Sequence, residues 1–331
     1  MVLLNILRKY RVVVIIAGIA LLAGAPWIIS SLYIRHLLVI AMLYAVLASN
    51  WDLTLGYAGV FNWAHIAFFG IGAYSAGILS KSFGISPWIC ILAGGLVAVI
   101  ASALICLPVL RVKGIYVCLV TFAFGQVCLQ IILSQSKYTG GSQGLVLIPP
   151  ITIGNYSFLS NDKIGYYYLA LLLFIASIVY LRRLVGSYFG LSVVALRDLE
   201  IYAISRGVPL SRQRLLTFIA SAVMTGITGA VYAFYLGVVS PDLFGFGYTA
   251  TLLSMILLGG IGTIYGSLLG AVVLTFVSEF MVSLGPWRFL VISSIIVVVM
   301  MFFPEGILSA VKRLAGSPNK SKISAQEIKS V

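Results

Sequence analysis

The sequence has little charge and very few acidic residues. Only 9% of its 331 residues are charged, with 8 Asp and Glu against 21 Lys and Arg, whereas 61% are hydrophobic. A soluble globular domain is about 25% charged and about 45–50% apolar. The composition therefore excludes an ordinary soluble protein and indicates a helical protein that crosses a membrane many times.

Cysteine and histidine are also scarce, with four and two residues respectively. Cys90, Cys106, Cys118 and Cys128 all lie inside apolar runs, and none has the CxxC or Cys/His spacing of a metal site. We interpret them as small packing side chains. The sequence thus predicts neither a metal nor a cofactor.

Motifs for catalysis and nucleotide binding are missing from the sequence. It has no GxxxxGK[ST] loop, so we expect no Walker-type ATP site. The segment 139–144 superficially resembles a phosphate-binding loop, but it lies between two apolar runs and is interpreted as a turn. We assign no catalytic residues, and an integral-membrane enzyme is the least supported class.

Carboxylates are missing from the middle of the apolar runs. Transporters driven by ion gradients usually hold such groups at the membrane midplane. Here Asp52 lies near the predicted cytoplasmic end of its run and Glu279 near the outer end of its own. Energy for uphill transport is therefore expected to come from another subunit.

Long apolar runs predict about ten membrane-embedded helices, since about 20 residues cross a hydrocarbon layer of about 30 Å. The runs are 12–34, 37–55, 56–80, 87–110, 114–134, 165–181, 215–239, 248–284 and 287–304. The run 248–284 has glycines at its middle and is predicted to form two helices. The expected fold is all-α and polytopic, with some helices broken by glycine. Residues 1–314 form one transmembrane domain, and 315–331 a disordered cytoplasmic tail.

The distribution of basic residues predicts the orientation. With the N-terminus in the cytoplasm, 16 of the 21 Lys and Arg fall on the cytoplasmic side. This follows the positive-inside rule and explains the net charge of +13 without a nucleic-acid partner. Both termini are expected to be cytoplasmic. A cleaved signal peptide ending near Ala25 is the alternative for the first run, but its length favours a retained span.

Charged side chains between residues 191 and 214 predict a short amphipathic helix outside the membrane, at 192–207. Ser192 is its expected N-cap, and Gly207 with Pro209 its end. Its apolar positions are Val194, Leu196, Leu199, Ala203 and Ile204, and its charged positions are Arg197, Asp198 and Glu200. Two interpretations remain open: a helix lying on membrane lipid, or a docking helix for a cytoplasmic ATPase.

A glycine-rich stretch at 56–77 forms a second candidate site, and it contains Asn62 and His65. Glycine weakens a helix by about 1 kcal/mol relative to alanine but permits broken helices and close backbone approach. Pore lining and structural hydrogen bonding are equal alternatives for His65 with Asn62. Gly266 and Gly270 favour helix packing.

These residues resemble the signatures of the permease subunits of branched-chain amino acid ABC transporters, in particular the larger of their two permease types. The matching segments lie in order between about residues 50 and 308, at 55–59, 65–74, 110–116, 121–125, 139–145, 195–207, 240–244, 259–266 and 304–306. Three positions depart from the family pattern. Asn62 stands where the family usually has Ser, Ala64 where it has Gly, and Gln126 where Glu is common.

The resemblance implies one subunit of an importer in the bacterial inner membrane. Its partners would be cytoplasmic ATP-binding subunits, a second and different permease, and a periplasmic binding protein received by 135–165. The implied substrate-path residues are Gly56, Gly59, Asn62, His65, Gly70, Gly72, Thr121, Gln126, Gly259, Gly260 and Gly262. The implied ATPase-coupling residues are Ala195, Arg197, Asp198, Glu200, Ala203 and Gly207. A permease for urea or short-chain amides, and a gradient-driven transporter, are the alternatives.

Overall fold

The structure is a computed structural model that describes residues 22–27, 31–153, 156–158, 163–282, and single positions at 285, 287, 290, 291, 293, 294, 297, 301 and 306. Helices make up nearly all of this part of the chain, which confirms the predicted all-α class. Most of the predicted runs 12–34 and 287–304, and all of the tail 315–331, lie outside the described residues.

The described helices run in chain order as follows. They are α1 (Leu32–Asp52), α2 (His65–Phe83), α3 (Pro87–Val109), α4 (Ile115–Ser134), α5 (Ser136–Thr139), α6 (Ile164–Val185), α7 (Tyr188–Asp198), α8 (Glu200–Ser205), α9 (Leu210–Leu236), α10 (Phe246–Gly259) and α11 (Ile264–Phe280). The first continues as a π-helical turn, Leu53–Tyr57, and 3₁₀ turns lie at Gly141–Gln143 and Pro241–Phe244.

Short antiparallel strands pair within and between the loops. Strand β1 (Leu145–Val146) pairs antiparallel with β4 (Val238–Val239), and β2 (Thr152–Ile153) pairs with β3 (Tyr156–Ser157). The first pair ties the segment after α4 to the end of α9.

Six helices of the described chain are long and apolar enough to cross a membrane: α1 with its π-turn, α2, α3, α4, α6 and α9. Helices α10 and α11 are apolar but shorter, with 14 and 17 residues. Eight of the ten predicted segments thus coincide with a helix. The break predicted within 248–284 is confirmed, because residues 260–263 separate α10 from α11.

The predicted span 56–80 begins too early. Gly56 and Tyr57 belong to the π-turn that ends α1, residues 58–64 are not helical, and α2 starts only at His65. Gly59 has a positive φ of 66°, which side chains other than glycine rarely adopt and which turns the chain out of the helix. A continuous apolar run therefore concealed a helix break.

The predicted helix at 193–206 is also different in the structure. Ser187, rather than Ser192, is the N-cap of α7, and its side chain accepts a hydrogen bond from the backbone N–H of Gly190. Ser192 lies inside α7 and donates to the carbonyl of Phe189. The chain then breaks at Leu199, so α7 and α8 are two helices. Gly207 follows α8 with a φ of 88°, as its predicted stopping role requires.

Helix α9 lies at the centre of the bundle and packs on α2, α3 and α1, while α1 also contacts α11 and α6. The contact of α2 with α9 is close because both helices present glycine: a Cβ on Gly72 would overlap the backbone of Gly226, and one on Gly229 would overlap Phe69. Small residues at membrane helix contacts permit such packing.

The spans run alternately in opposite directions, which gives the bundle two ends. One holds Arg197 and the C-terminal end of α1, and the other holds Glu279 and the N-terminal end of α1. We call them the Arg197 end and the Glu279 end.

Candidate functional site

Five residues from three distant segments of the sequence meet at the Arg197 end: Asp52, Gly56, Gly59, Arg197 and Gly262. They come from α1, its π-turn, the loop after it, α7 and the α10–α11 break. We call this group the Arg197 junction.

Arg197 reaches from α7 to the π-turn. Its Nη1 donates to the carbonyl oxygen of Gly56 at 2.7 Å, and its Nε donates to Asp198 Oδ1 at 2.8 Å. Its aliphatic stem lies against Gly59, where a Cβ would come within 2.7 Å of the Arg197 Cγ. A cation beside the carbonyls at a helix C-terminus is stabilising, so the guanidinium suits this position.

Asp52 makes the second connection of the junction. It is fully buried, and its Oδ1 accepts a hydrogen bond of 2.8 Å from the backbone N–H of Gly262. The N–H of Thr263 and the side chain of Ser267 also interact with this carboxylate, as does the charge of Arg197. Since α11 begins at Ile264, the carboxylate lies at a helix N-terminus, where negative charge is favourable. These partners offset only part of the cost of burying it, and its Oδ2 has no hydrogen-bond partner within the described residues.

Two interrupted helices therefore touch beneath α7. Gly56 lies so close to Gly262 that a Cβ on Gly56 would overlap the Gly262 backbone. From the family resemblance, Gly56, Gly59 and Gly262 are expected in a substrate path and Arg197 in a separate coupling helix. The structure brings all four together. It also adds Asp52, for which the only sequence signal was its place at the end of an apolar run.

Glu200 lies outside this junction. It is the first residue of α8 and forms ion pairs with Lys113 at 3.4 Å and Arg214 at 3.2 Å. These pairs connect α8 to the α3–α4 loop and to α9. Ala203 is a buried residue of α8, whereas Ala195 and Asp198 are exposed on α7.

His65 and Asn62 lie in a separate, buried cluster. The Nε2 atom of His65 is 2.9 Å from the hydroxyl of Thr225, and its ring stacks on Trp51 with 5.8 Å between centroids. Asn62 Oδ1 accepts a hydrogen bond from the N–H of Ala64, and Thr121 Oγ1 accepts one from the N–H of Trp63. These contacts hold the loop before α2, so this conformation favours the structural interpretation of His65 and Asn62.

The remaining predicted glycines lie at packing contacts. Gly70 faces the ring of Phe244, and Gly259 faces the backbone of Gly266. Gly260 has a φ of 110° in the α10–α11 break. Close approach of neighbouring groups, rather than an open channel, accounts for glycine at these positions.

Helix α4 differs from the other spans because most of it is uncovered. Only 22% of its most apolar stretch is buried, the lowest share among the six described spans. Gln126 is half-buried and Gln130 is exposed on this helix. Uncovered polar side chains within a membrane span are costly in lipid.

A cavity of about 320 Å³ lies at the Glu279 end, between α1, α10 and α11. Its lining includes His36, Tyr44, Tyr248 and Glu279. The Tyr33 hydroxyl donates to Glu279 at 2.5 Å, and His36 Nδ1 is 2.6 Å from the hydroxyl of Tyr235. The sequence alone predicts no site here, because these residues come from three separate helices.

The described chain has six apolar spans and two shorter apolar helices, α10 and α11, which are separated by a break at the Arg197 junction. These features define a polytopic α-helical membrane protein of the transporter type. Within the described residues, no three His, Cys, Asp or Glu side chains are grouped to hold a metal ion. The chain belongs to the family described as "Branched-chain amino acid transport system / permease component", whose model matches residues 33–304.

Named relatives agree with the family assignment. The chain is 31% identical over 288 residues to the "High-affinity branched-chain amino acid transport system permease protein LivM" of Salmonella typhimurium, covering 81% of this chain and 68% of the relative. The Escherichia coli protein of the same name is 31% identical over 290 residues, with the same coverage. A "Probable branched-chain amino acid transport permease protein LivM" of Methanocaldococcus jannaschii is 23% identical over 264 residues, covering 69% of this chain and 75% of the relative. No solved structure matches the chain.

Replacing Thr225 with valine should destabilise the fold, because it removes the hydroxyl partner of the buried His65. We expect the free energy of unfolding to fall by about 1 kcal/mol, the usual net worth of one hydrogen bond. A denaturant titration of the purified protein in detergent micelles would measure it.

Thr251→Val is the matched control. Thr251 donates to a carbonyl of its own helix, as Thr225 does, but its hydroxyl is more exposed. An equal loss in both variants would contradict a structural role for the His65–Thr225 contact.

Proposed function

We propose that this chain is the transmembrane permease subunit of an ABC importer for branched-chain amino acids in the bacterial inner membrane. The observation that carries this proposal is the family match over residues 33–304, together with the relatives named for that transport. ATP hydrolysis would occur on separate cytoplasmic subunits.

The distribution of charge supports an external energy source. The described acidic residues lie at the ends of helices or in loops: Asp52, Asp198, Glu200, Asp242 and Glu279. Coupling to an ion gradient usually needs a carboxylate near the membrane midplane, which this part of the chain does not supply.

Basic residues support the orientation in which the Arg197 end is cytoplasmic. Among the described residues, eight Lys and Arg lie at or beyond the Arg197 ends of the spans and four at the Glu279 end. Cytoplasmic loops carry such an excess. We place both termini on the same side, as the full set of basic residues indicates.

The surface of α7 and α8 is a suitable docking site for an ATPase subunit. Ile201 is 86% exposed, and Leu199 and Tyr202 are also largely exposed. Leu199 and Ile204, two apolar positions of the predicted amphipathic helix, are both exposed, and the chain breaks between α7 and α8 at Leu199. Exposed apolar groups beside Asp198 suit a protein partner better than an anionic lipid surface.

The uncovered face of α4 is a suitable wall for the substrate path. Gln126 and Gln130 would be costly against lipid but not against water or a second permease. We therefore place the path along this face, between this chain and a different permease chain. The loops at 135–153 and 237–246 lie at the Glu279 end, where a periplasmic binding protein would deliver the substrate.

Transport by a reconstituted complex tests the function. Vesicles that contain this chain, the second permease and the ATP-binding subunits should accumulate labelled leucine when the binding protein and ATP are supplied. Uptake of urea or short-chain amides instead of leucine would support the alternative substrate class. Uptake driven by a proton gradient without ATP would refute the importer.

Replacing Ile201 with glutamate should prevent ATPase docking, because it places a carboxylate at the most exposed apolar position of α8. We expect at least a tenfold loss of ATP-binding subunit that copurifies with the permease. Leu147→Glu, at an 83% exposed position of the Glu279 end, is the matched control and should leave copurification unchanged. Normal copurification with the Ile201 variant would count against α8 as the docking site.

Cysteine labelling tests the position of the path. In a background without the native cysteines, Gln130→Cys should react with a membrane-impermeant thiol reagent in the assembled importer, because this position would face water. Leu104→Cys, on an apolar exposed face of α3, should react much more slowly. Equal labelling rates at the two positions would argue against a path along α4.

A further inference from the structure

We infer that Arg197 and Asp52 are positioning residues that transmit movement of the docking segment to the helix interruptions at Gly56 and Gly262. This inference rests on the proposed function. It assigns Arg197 an internal role: the side chain connects the docking segment to the membrane helices instead of contacting the ATPase.

The Arg197 side chain extends from α7 toward the π-turn after α1. Its stem packs on Gly59 and its guanidinium donates to Gly56, although 35% of the side chain remains exposed. Leu199 and Ile201 are more exposed, at 64% and 86%. The docking surface and the inward connection thus lie on different sides of one short segment.

The backbone carbonyl that accepts the hydrogen bond from Arg197 lies at a helix interruption. Gly56 belongs to a π-helical turn, a type of helix interruption that is frequent at functional sites. The end of a helix leaves carbonyl groups without partners inside the helix. Arg197 satisfies one of them from another element, so a shift of α7 changes the hydrogen bonding of α1 directly.

Asp52 extends the connection to the second interruption. Its carboxylate binds the N–H of Gly262 at the start of α11, while its own backbone belongs to the last turn of α1. Gly56 and Gly262 are in close contact, which the absence of a Cβ on Gly56 permits. A movement of α7 would therefore displace the end of α1 and the start of α11 together. It would change the contact between these two helices at the Arg197 end.

An anchoring role is the competing explanation for these contacts. In that case Arg197 would only hold α7 in place, and its loss would lower assembly and transport in parallel. Transmission predicts a different result, in which the complex forms and hydrolyses ATP but moves less substrate per ATP.

The experiment compares variants in the complete complex in vesicles. Arg197→Met keeps the length of the side chain and removes its donors, and Asp52→Asn removes the charge of the carboxylate. For both we expect normal copurification of the ATP-binding subunits and a fall of about tenfold or more in leucine uptake per ATP hydrolysed, consistent with the loss of a bond to a charged group. Arg197→Lys, with the charge kept, should give an intermediate ratio.

Arg212→Met is the matched control, because Arg212 is exposed at the same end of the bundle and lies outside the junction. Its uptake per ATP should equal that of the unmodified chain. A ratio within twofold of normal in an Arg197→Met complex that assembles would overturn the inference.

Two further outcomes separate the inference from the proposed function. If the Arg197→Met complex does not assemble, the Arg197→Lys complex decides, and a normal ratio there overturns the transmitting role. If the unmodified chain shows no ATP-dependent uptake, the importer assignment itself fails.

Discussion

Backbone N–H and C=O groups buried away from water must find hydrogen-bond partners, and this constraint governs the Arg197 junction. An uninterrupted span satisfies these groups within its own helix. The π-turn after α1 and the break between α10 and α11 do not, so they require partners from other elements. Arg197 supplies a donor to the first and Asp52 an acceptor to the second. The two interruptions are thereby held together at one end of the bundle.

Glycine makes this arrangement sterically possible. Side chains on Gly56 or Gly59 would displace the Gly262 backbone or the stem of Arg197. The same absence of Cβ atoms brings α2 against α9 at Gly72 and Gly226, in the centre of the bundle. Glycine thus serves two purposes in this chain, close packing along helices and contact between interrupted ones, and sequence alone does not separate them.

Sequence patterns predicted the spans better than the sites. Apolar runs located eight of the described helices, because about 20 apolar residues have few stable alternatives to a membrane helix. The same pattern missed the break before His65, since residues 58–64 are as apolar as a span. Ser192 and Ser187 are both of a residue type that favours the N-cap position. Helix α6 ends at Val185, and the next helix begins directly after Ser187.

The sequence by itself determined the membrane class and the family, because both depend on composition or on the order of local motifs. The tertiary structure decided that Gly56, Gly262 and Arg197 belong to one site, and that His65 is bound to Thr225. Pairings across 141 or 160 residues leave no local pattern, since they depend on which helix ends meet. These contacts could therefore be identified only in the tertiary structure.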